Sequence, residues 1–176
     1  MLAAPAEQAH YLGMLIPESD PDIEAGPVEI YRDGSAMPGY YAAPRAGAAT
    51  TPTIVLAMHL WGVNSEQRNT ARRFAKNGFA IVVPDLYARF DAPDGDEEKD
   101  PAKFVPPARS LSPQTVEPDI AAATAWIKER FPESKTAIAD FAWAEQWRSI
   151  GQWGGGDVLG SSNLVRLFRR RRWAAG

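Results

Sequence analysis

Cysteine is missing from all 176 residues, and histidine occurs only at His10 and His59. The first absence excludes disulfides, thiolate metal sites and a cysteine nucleophile within these residues. No apolar run approaches the ~20 residues of a membrane-spanning helix, so no membrane association is expected. Charge of one sign is also scarce. Nineteen basic residues face 22 acidic ones, a net charge of −3, which gives no general attraction to nucleic acid or to an anionic membrane surface. Met1 to His10 lacks the basic and apolar stretches of a signal peptide, so the cytoplasm is the expected location. The chain is 45% hydrophobic and 23% charged, the balance of an ordinary globular protein with one core.

Hydrophobic patterning sets out the order of elements. Residues 1–26 read as a polar, proline-containing flexible leader. Val28 to Tyr31 and Gly39 to Ala43 read as short strands, with Asp33-Gly34 as a hairpin signal between them. Thr53-Ile-Val-Leu-Ala-Met58 and Phe79-Ala-Ile-Val-Val83 are unbroken apolar runs of strand length, the mark of strands buried on both faces of a parallel sheet. Between them Glu66 to Lys76 reads as a helix capped by Asn64 or Ser65, with Gln67 completing a capping box and Asn77-Gly78 at its end. Residues 85–115, rich in Asp, Glu and Pro, read as one long loop. Glu117 to Phe131 reads as a helix with Pro118 in an early turn, and Ser134 to Ala139 as a third parallel strand. This alternation predicts an α/β fold, a mostly parallel sheet with flanking helices behind an N-terminal hairpin.

Certain words recur in a known order. Thr53 to Gly62, then Ala71-Arg-Arg-Phe-Ala75, Gly78-Phe79 and Val83-Pro-Asp-Leu-Tyr-Ala-Arg89 together resemble the dienelactone hydrolase family of α/β-hydrolases, from about Ala25 to Ala139. The resemblance implies residues 27–139 as the N-terminal part of an incomplete hydrolase domain. It also implies a small-molecule ester or lactone as substrate, with no cofactor and no metal. Members use a Cys-His-Asp triad, with the Cys on a sharp strand-to-helix elbow. That elbow belongs directly after Thr136 to Ala139. Here the chain reads Asp140-Phe-Ala-Trp-Ala-Glu-Gln-Trp147 instead, with no Cys, no elbow Ser and no later His, so no catalytic residue is intact.

Composition changes at the same place. Ala139 to Gly176 holds six Arg, no Lys and four of the six Trp, with Gly154-Gly-Gly156 and Arg169-Arg-Arg-Arg172 arriving abruptly. Residues 140–176 therefore read as an out-of-frame tail. The reading can be checked by regrouping codons, each new one taking the third base of one residue and the first two of the next. Trp143-Ala144 must then yield Gly, because TGG-GC contains GGC. Phe141-Ala142 yields Cys or Arg. One allowed outcome is Gly-Phe-Cys-Met-Gly-Gly followed by an alanine-rich stretch, an elbow at the position the family requires. The Arg run resembles a polyanion-binding patch, but out-of-frame peptide has no selected role.

Carried over position by position, the resemblance implies that Leu60 and Trp61 offer backbone N–H groups to an oxyanion hole; Trp61 reads equally as a packed aromatic. Arg89 matches an Arg that holds the substrate carboxylate, since a guanidinium fork suits that group; read alone, it is a surface ion pair with Asp91, Asp94 or Asp96. His59, at a buried strand end, reads as a hydrogen-bonded structural residue, His10 as solvated. Asp85 reads as the cap of the following turn. Asp94 to Asp100 lacks the spacing of a calcium loop and reads as a solvated run. A second reading of the whole is a non-catalytic half-domain acting only in binding or association through an open sheet edge.

Overall fold

The structure, a computed structural model, describes residues 14–140. Five strands form one sheet in the order β1-β2-β4-β3-β5. Strands β1 (Ile23–Arg32) and β2 (Ser35–Pro44) make an antiparallel hairpin in which Arg32 faces Ser35 across a two-residue turn. Asp33 and Gly34 hold φ of 50° and 80°, the paired positive values of the turn whose twist matches flanking strands. Nothing lies within 4 Å of the place a Gly34 side chain would occupy, so glycine is required there by backbone conformation, not by space.

Strands β3 (Thr53–Ala57) and β4 (Ala80–Pro84) are buried at every residue and pair in parallel. β4 also pairs antiparallel with β2, and β5 (Thr136–Asp140) pairs parallel with β3. Helix α1 (Ser65–Lys76) connects β3 to β4. The Asn64 side chain accepts the Gln67 backbone N–H at 3.0 Å, and Asn77 and Gly78 close the last turn. The expected capping box is only half formed. Gln67 does not reach back to the cap; its buried side chain donates to the Ala57 carbonyl at 3.4 Å, tying the helix to the end of β3.

Successive residues of a strand point to opposite faces, and β2 shows which helix covers which face. The Tyr40 hydroxyl accepts from Arg72 of α1 at 2.7 Å. The next residue, Tyr41, meets the Trp126 ring of α3 (Pro113–Arg130) edge-on, with centroids 5.4 Å apart. The sheet therefore lies between α1 and α3.

Three expectations are corrected. The described part of the leader is not weakly structured: β1 begins at Ile23, Ile16 is buried, and Arg72 and Asn69 bond the Ile16 backbone at 2.6 and 2.8 Å. The stretch after β4 is not one loop. It contains a 3-10 turn (Pro101–Phe104) and helix α2 (Val105–Ser110), and Phe104 is fully buried. Helix α3 starts at Pro113 rather than Glu117, because Thr115 accepts the Ser112 backbone N–H at 3.0 Å and Pro suits the first helical position.

Asp119 lies on the buried stripe of α3, with Val116, Ile120, Ala123 and Ile127, and is 1% exposed. It takes Arg32 of the hairpin at 2.7 Å and both arms of Arg89 at 2.6 and 2.9 Å. Removing one member of a buried ion pair strands the others, at about 3–5 kcal/mol when all are dry. Arg89 is 37% exposed, and water screens part of that loss. Asp119→Asn should therefore cost about 2–3 kcal/mol, read as a lower urea midpoint with unchanged slope. A change below about 0.5 kcal/mol would mean the pair is idle.

Candidate functional site

The parallel strands β3, β4 and β5 end on one side of the sheet, where folds of this class bind ligands. From β3 the chain enters His59-Leu60-Trp61-Gly62, which closes on itself. Gly62 donates its N–H to the His59 carbonyl at 2.9 Å, and the Trp61 N–H reaches His59 Nδ1 at 3.3 Å. Two outside contacts hold this loop. The Tyr87 hydroxyl donates to the Leu60 carbonyl at 3.2 Å. Gly95 sits so close to the Trp61 carbonyl that any side chain there would collide with it.

Both oxyanion-hole candidates lie in this loop, in different states. The Trp61 N–H is already engaged by His59, and its ring packs edge-on against Phe104 with centroids 4.9 Å apart. The packed-aromatic reading of its side chain therefore holds. The Leu60 N–H has no hydrogen-bond partner among the described residues.

At the end of β4, Asp85 accepts the Tyr87 N–H at 2.9 Å, the turn cap that the sequence suggests. Burial raises the Asp85 carboxyl above the usual range, partly offset by that bond. Burial also pushes the Tyr87 phenol up. Arg89 does not pair with Asp91, Asp94 or Asp96. Its partner is Asp119, thirty residues on, which the local charge pattern conceals. Nor is the acidic run simply solvated. Asp96 accepts the Ser65 N–H at 2.8 Å and Arg68 at 2.7 Å, clasping the start of α1, and these bonds hold its carboxyl below the usual range against a burial effect that raises it. Its role is to pin the loop that carries Gly95 over Trp61.

His59 departs from its reading in one atom. Nδ1 is bonded, but Nε2 is buried with no partner. Burial lowers its pKa, opposed by Glu66 and by its own backbone. Sequence could signal a histidine at a strand end, but not which ring nitrogen lacks a partner. The tail calls, including Arg169 to Arg172 and the frame change, and His10 lie outside the described residues.

The model of the dienelactone hydrolase family matches residues 37–141. The chain belongs to the dienelactone hydrolase family. A putative carboxymethylenebutenolidase of Salmonella typhi is 29% identical over 144 residues, 82% of this chain and 44% of that protein. The corresponding Escherichia coli K12 protein is 27% identical over the same shares. The chain thus spans under half the length of these curated relatives. A solved putative dienelactone hydrolase of Klebsiella pneumoniae superposes with a TM-score of 0.61 at 25% identity, over 69% of this chain and 50% of that one. The expected α/β-hydrolase-type sheet is therefore present in part. No described helix is long and apolar enough to cross a membrane.

The half-buried imidazole of His59 makes stability depend on pH. The unfolded chain takes up a proton at His59 near pH 6.5, whereas the folded chain does so only lower. Its contribution is therefore complete above about pH 6.5 and is lost as pH falls below that value, where the unfolded state binds more protons. Urea midpoints measured between pH 7.5 and 5.5 should fall, and His59→Gln should flatten the fall. Parallel profiles for the two chains would refute it.

Proposed function

We propose that this chain carries the sheet and half of the oxyanion hole of a dienelactone hydrolase-type ester or lactone hydrolase. The unpartnered Leu60 N–H at the end of β3 is the observation that carries this reading. A backbone donor in the loop after β3 survives any change of side chains, and such donors stabilise the oxyanion of acyl transfer. Leu60 is the better of the two donors, because the Trp61 N–H is already taken by His59. Arg89 fits a substrate carboxylate. Two of the five N–H groups of its guanidinium serve Asp119, and Arg32 would hold that acid while the outer edge of Arg89 meets the ligand.

The 176 residues contain no Cys and no His beyond His59. We read this as a change of frame near codon 139, with residues 140–176 as out-of-frame peptide and 27–139 as the family's N-terminal part. One fact supports the reading: the family match stops at residue 141. In the parent enzyme the Cys would attack the ester carbonyl, form a thioester while expelling the alcohol, and be freed by water. Binding without catalysis remains the second reading, favoured by the absence of a partner on the outer side of β5 among the described residues.

The 176-residue chain should hydrolyse a small aryl ester no faster than buffer. Supplying one base near codon 139 should restore hydrolysis that a thiol reagent abolishes. Turnover by the chain as it stands, or an inert restored chain, would refute the proposal. Gene sequences of relatives that keep the present frame would refute the frame change alone.

A further inference from the structure

Asp or Asn precedes Gly at three places: Asp33-Gly34, Asn77-Gly78 and Asp94-Gly95. Such pairs share a side reaction. The glycine backbone nitrogen can attack the side-chain carbonyl carbon of the preceding residue, because no Cβ of its own stands in the way. The fold ties down two of the three pairs. The Asn77 amide donates to the Arg73 carbonyl at 2.7 Å, and the Gly78 N–H donates to the Ala75 carbonyl at 3.0 Å. The Asp94 carboxylate accepts the Asp96 N–H at 2.8 Å, and Gly95 is pressed against the Trp61 carbonyl.

Asp33-Gly34, at the tip of the β1–β2 hairpin, is open on every count. The Asp33 side chain is 86% exposed, and its only polar contact among the described residues is Arg32 Nε at 3.3 Å. An exposed pair of that length holds a side chain weakly. The Gly34 N–H has no hydrogen-bond partner among the described residues. Nothing lies within 4 Å of the place a Gly34 side chain would occupy, so a ring closing there meets no neighbour.

We propose that Asp33 is a modification site, at which the folded chain rearranges to isoaspartate and loosens the Asp119 cluster. The Gly34 nitrogen attacks Asp33 Cγ. An N–C bond forms, a C–O bond breaks, and one water leaves with the amide proton. Water then opens the five-membered ring. Attack at Cγ returns aspartate, whereas attack at the former backbone carbonyl leaves the chain running through Cβ and Cγ. The water lost equals the water gained, so no other reactant is needed. The product has one extra backbone atom in a two-residue turn, and turn length sets the register of a hairpin. Arg32 faces Ser35 across that turn, and its guanidinium reaches Asp119 at 2.7 Å. Lengthening the turn pulls this cation from the buried carboxylate, so chemistry at an exposed tip reaches the core. The site is independent of the hydrolase reading.

The test ages the 176-residue chain in warm, mildly acidic buffer, both folded and in urea, and follows its chymotryptic peptides by mass spectrometry. The peptide from Arg32 to Tyr40 should split into two species of equal mass, with backbone fragmentation placing isoaspartate at residue 33. In urea Asp33 and Asp94 should rearrange at similar rates. In the folded chain Asp33 should outpace Asp94 at least tenfold. Asp33→Asn expels ammonia in place of water and should rearrange faster. The aged chain should unfold at a lower urea midpoint than the fresh one. Asp33→Gly keeps a favoured turn but has no carboxyl, so its midpoint should not move with age. Three results would overturn the proposal: a peptide that stays single, the same ratio of Asp33 to Asp94 rearrangement with and without urea, or an equal fall of midpoint in Asp33→Gly. Isoaspartate at residue 33 with an unmoved midpoint would overturn the link to Asp119.

Discussion

The buried carboxylate of Asp119 is the constraint on which the arrangement of this half-sheet depends. A dry, unpaired carboxylate is too costly to keep, so Asp119 must draw cations to itself. It takes one from the end of β1 and one from the segment after β4. The hairpin, the β4 exit and α3 are thereby tied at one point. Arg32 also meets the exposed Asp33 at 3.3 Å, so two guanidinium groups are matched by two carboxylates.

Most of the sheet was legible because its signals are local. Two all-apolar pentapeptides announced β3 and β4. Asp33-Gly34 announced the hairpin turn, and Asn64 and Asn77-Gly78 bracketed α1. The missed pieces depend on distant partners. Residues 14–22 hold few large apolar groups, and their backbone is bonded by Asn69, Arg72 and Arg73 from over 50 residues away. Helix α2 was hidden by Pro106-Pro107, which look like loop residues yet are tolerated in a first helical turn. Asp119 carries a local signal: an acid on the Val116–Ile120–Ala123–Ile127 stripe marks a buried ion pair.

The site was legible as a loop but not as a set of atoms. The sequence places Leu60 and Trp61 after β3, and the resemblance lends them backbone roles. Only three-dimensional geometry separates the two. His59 Nδ1 accepts the Trp61 N–H, while the Leu60 N–H and His59 Nε2 have no partner among the described residues. That choice depends on ring orientation, which residue types do not encode. Similarly, Gly95 reads as an ordinary loop glycine until its backbone is seen against the Trp61 carbonyl.

The geometry of β5 ties the end of the described sheet to the loop after β3. β5 pairs with β3 from Thr53–Thr136 to Ala57–Asp140. Both strands run the same way, so β5 delivers the chain to the side of the sheet where the His59–Gly62 loop lies. The Leu60 N–H lies in that loop, which is held by Tyr87, by Gly95 and by the Asp96 clasp on α1. The strand register and the loop after β3 are thus both set by contacts among residues 14–140.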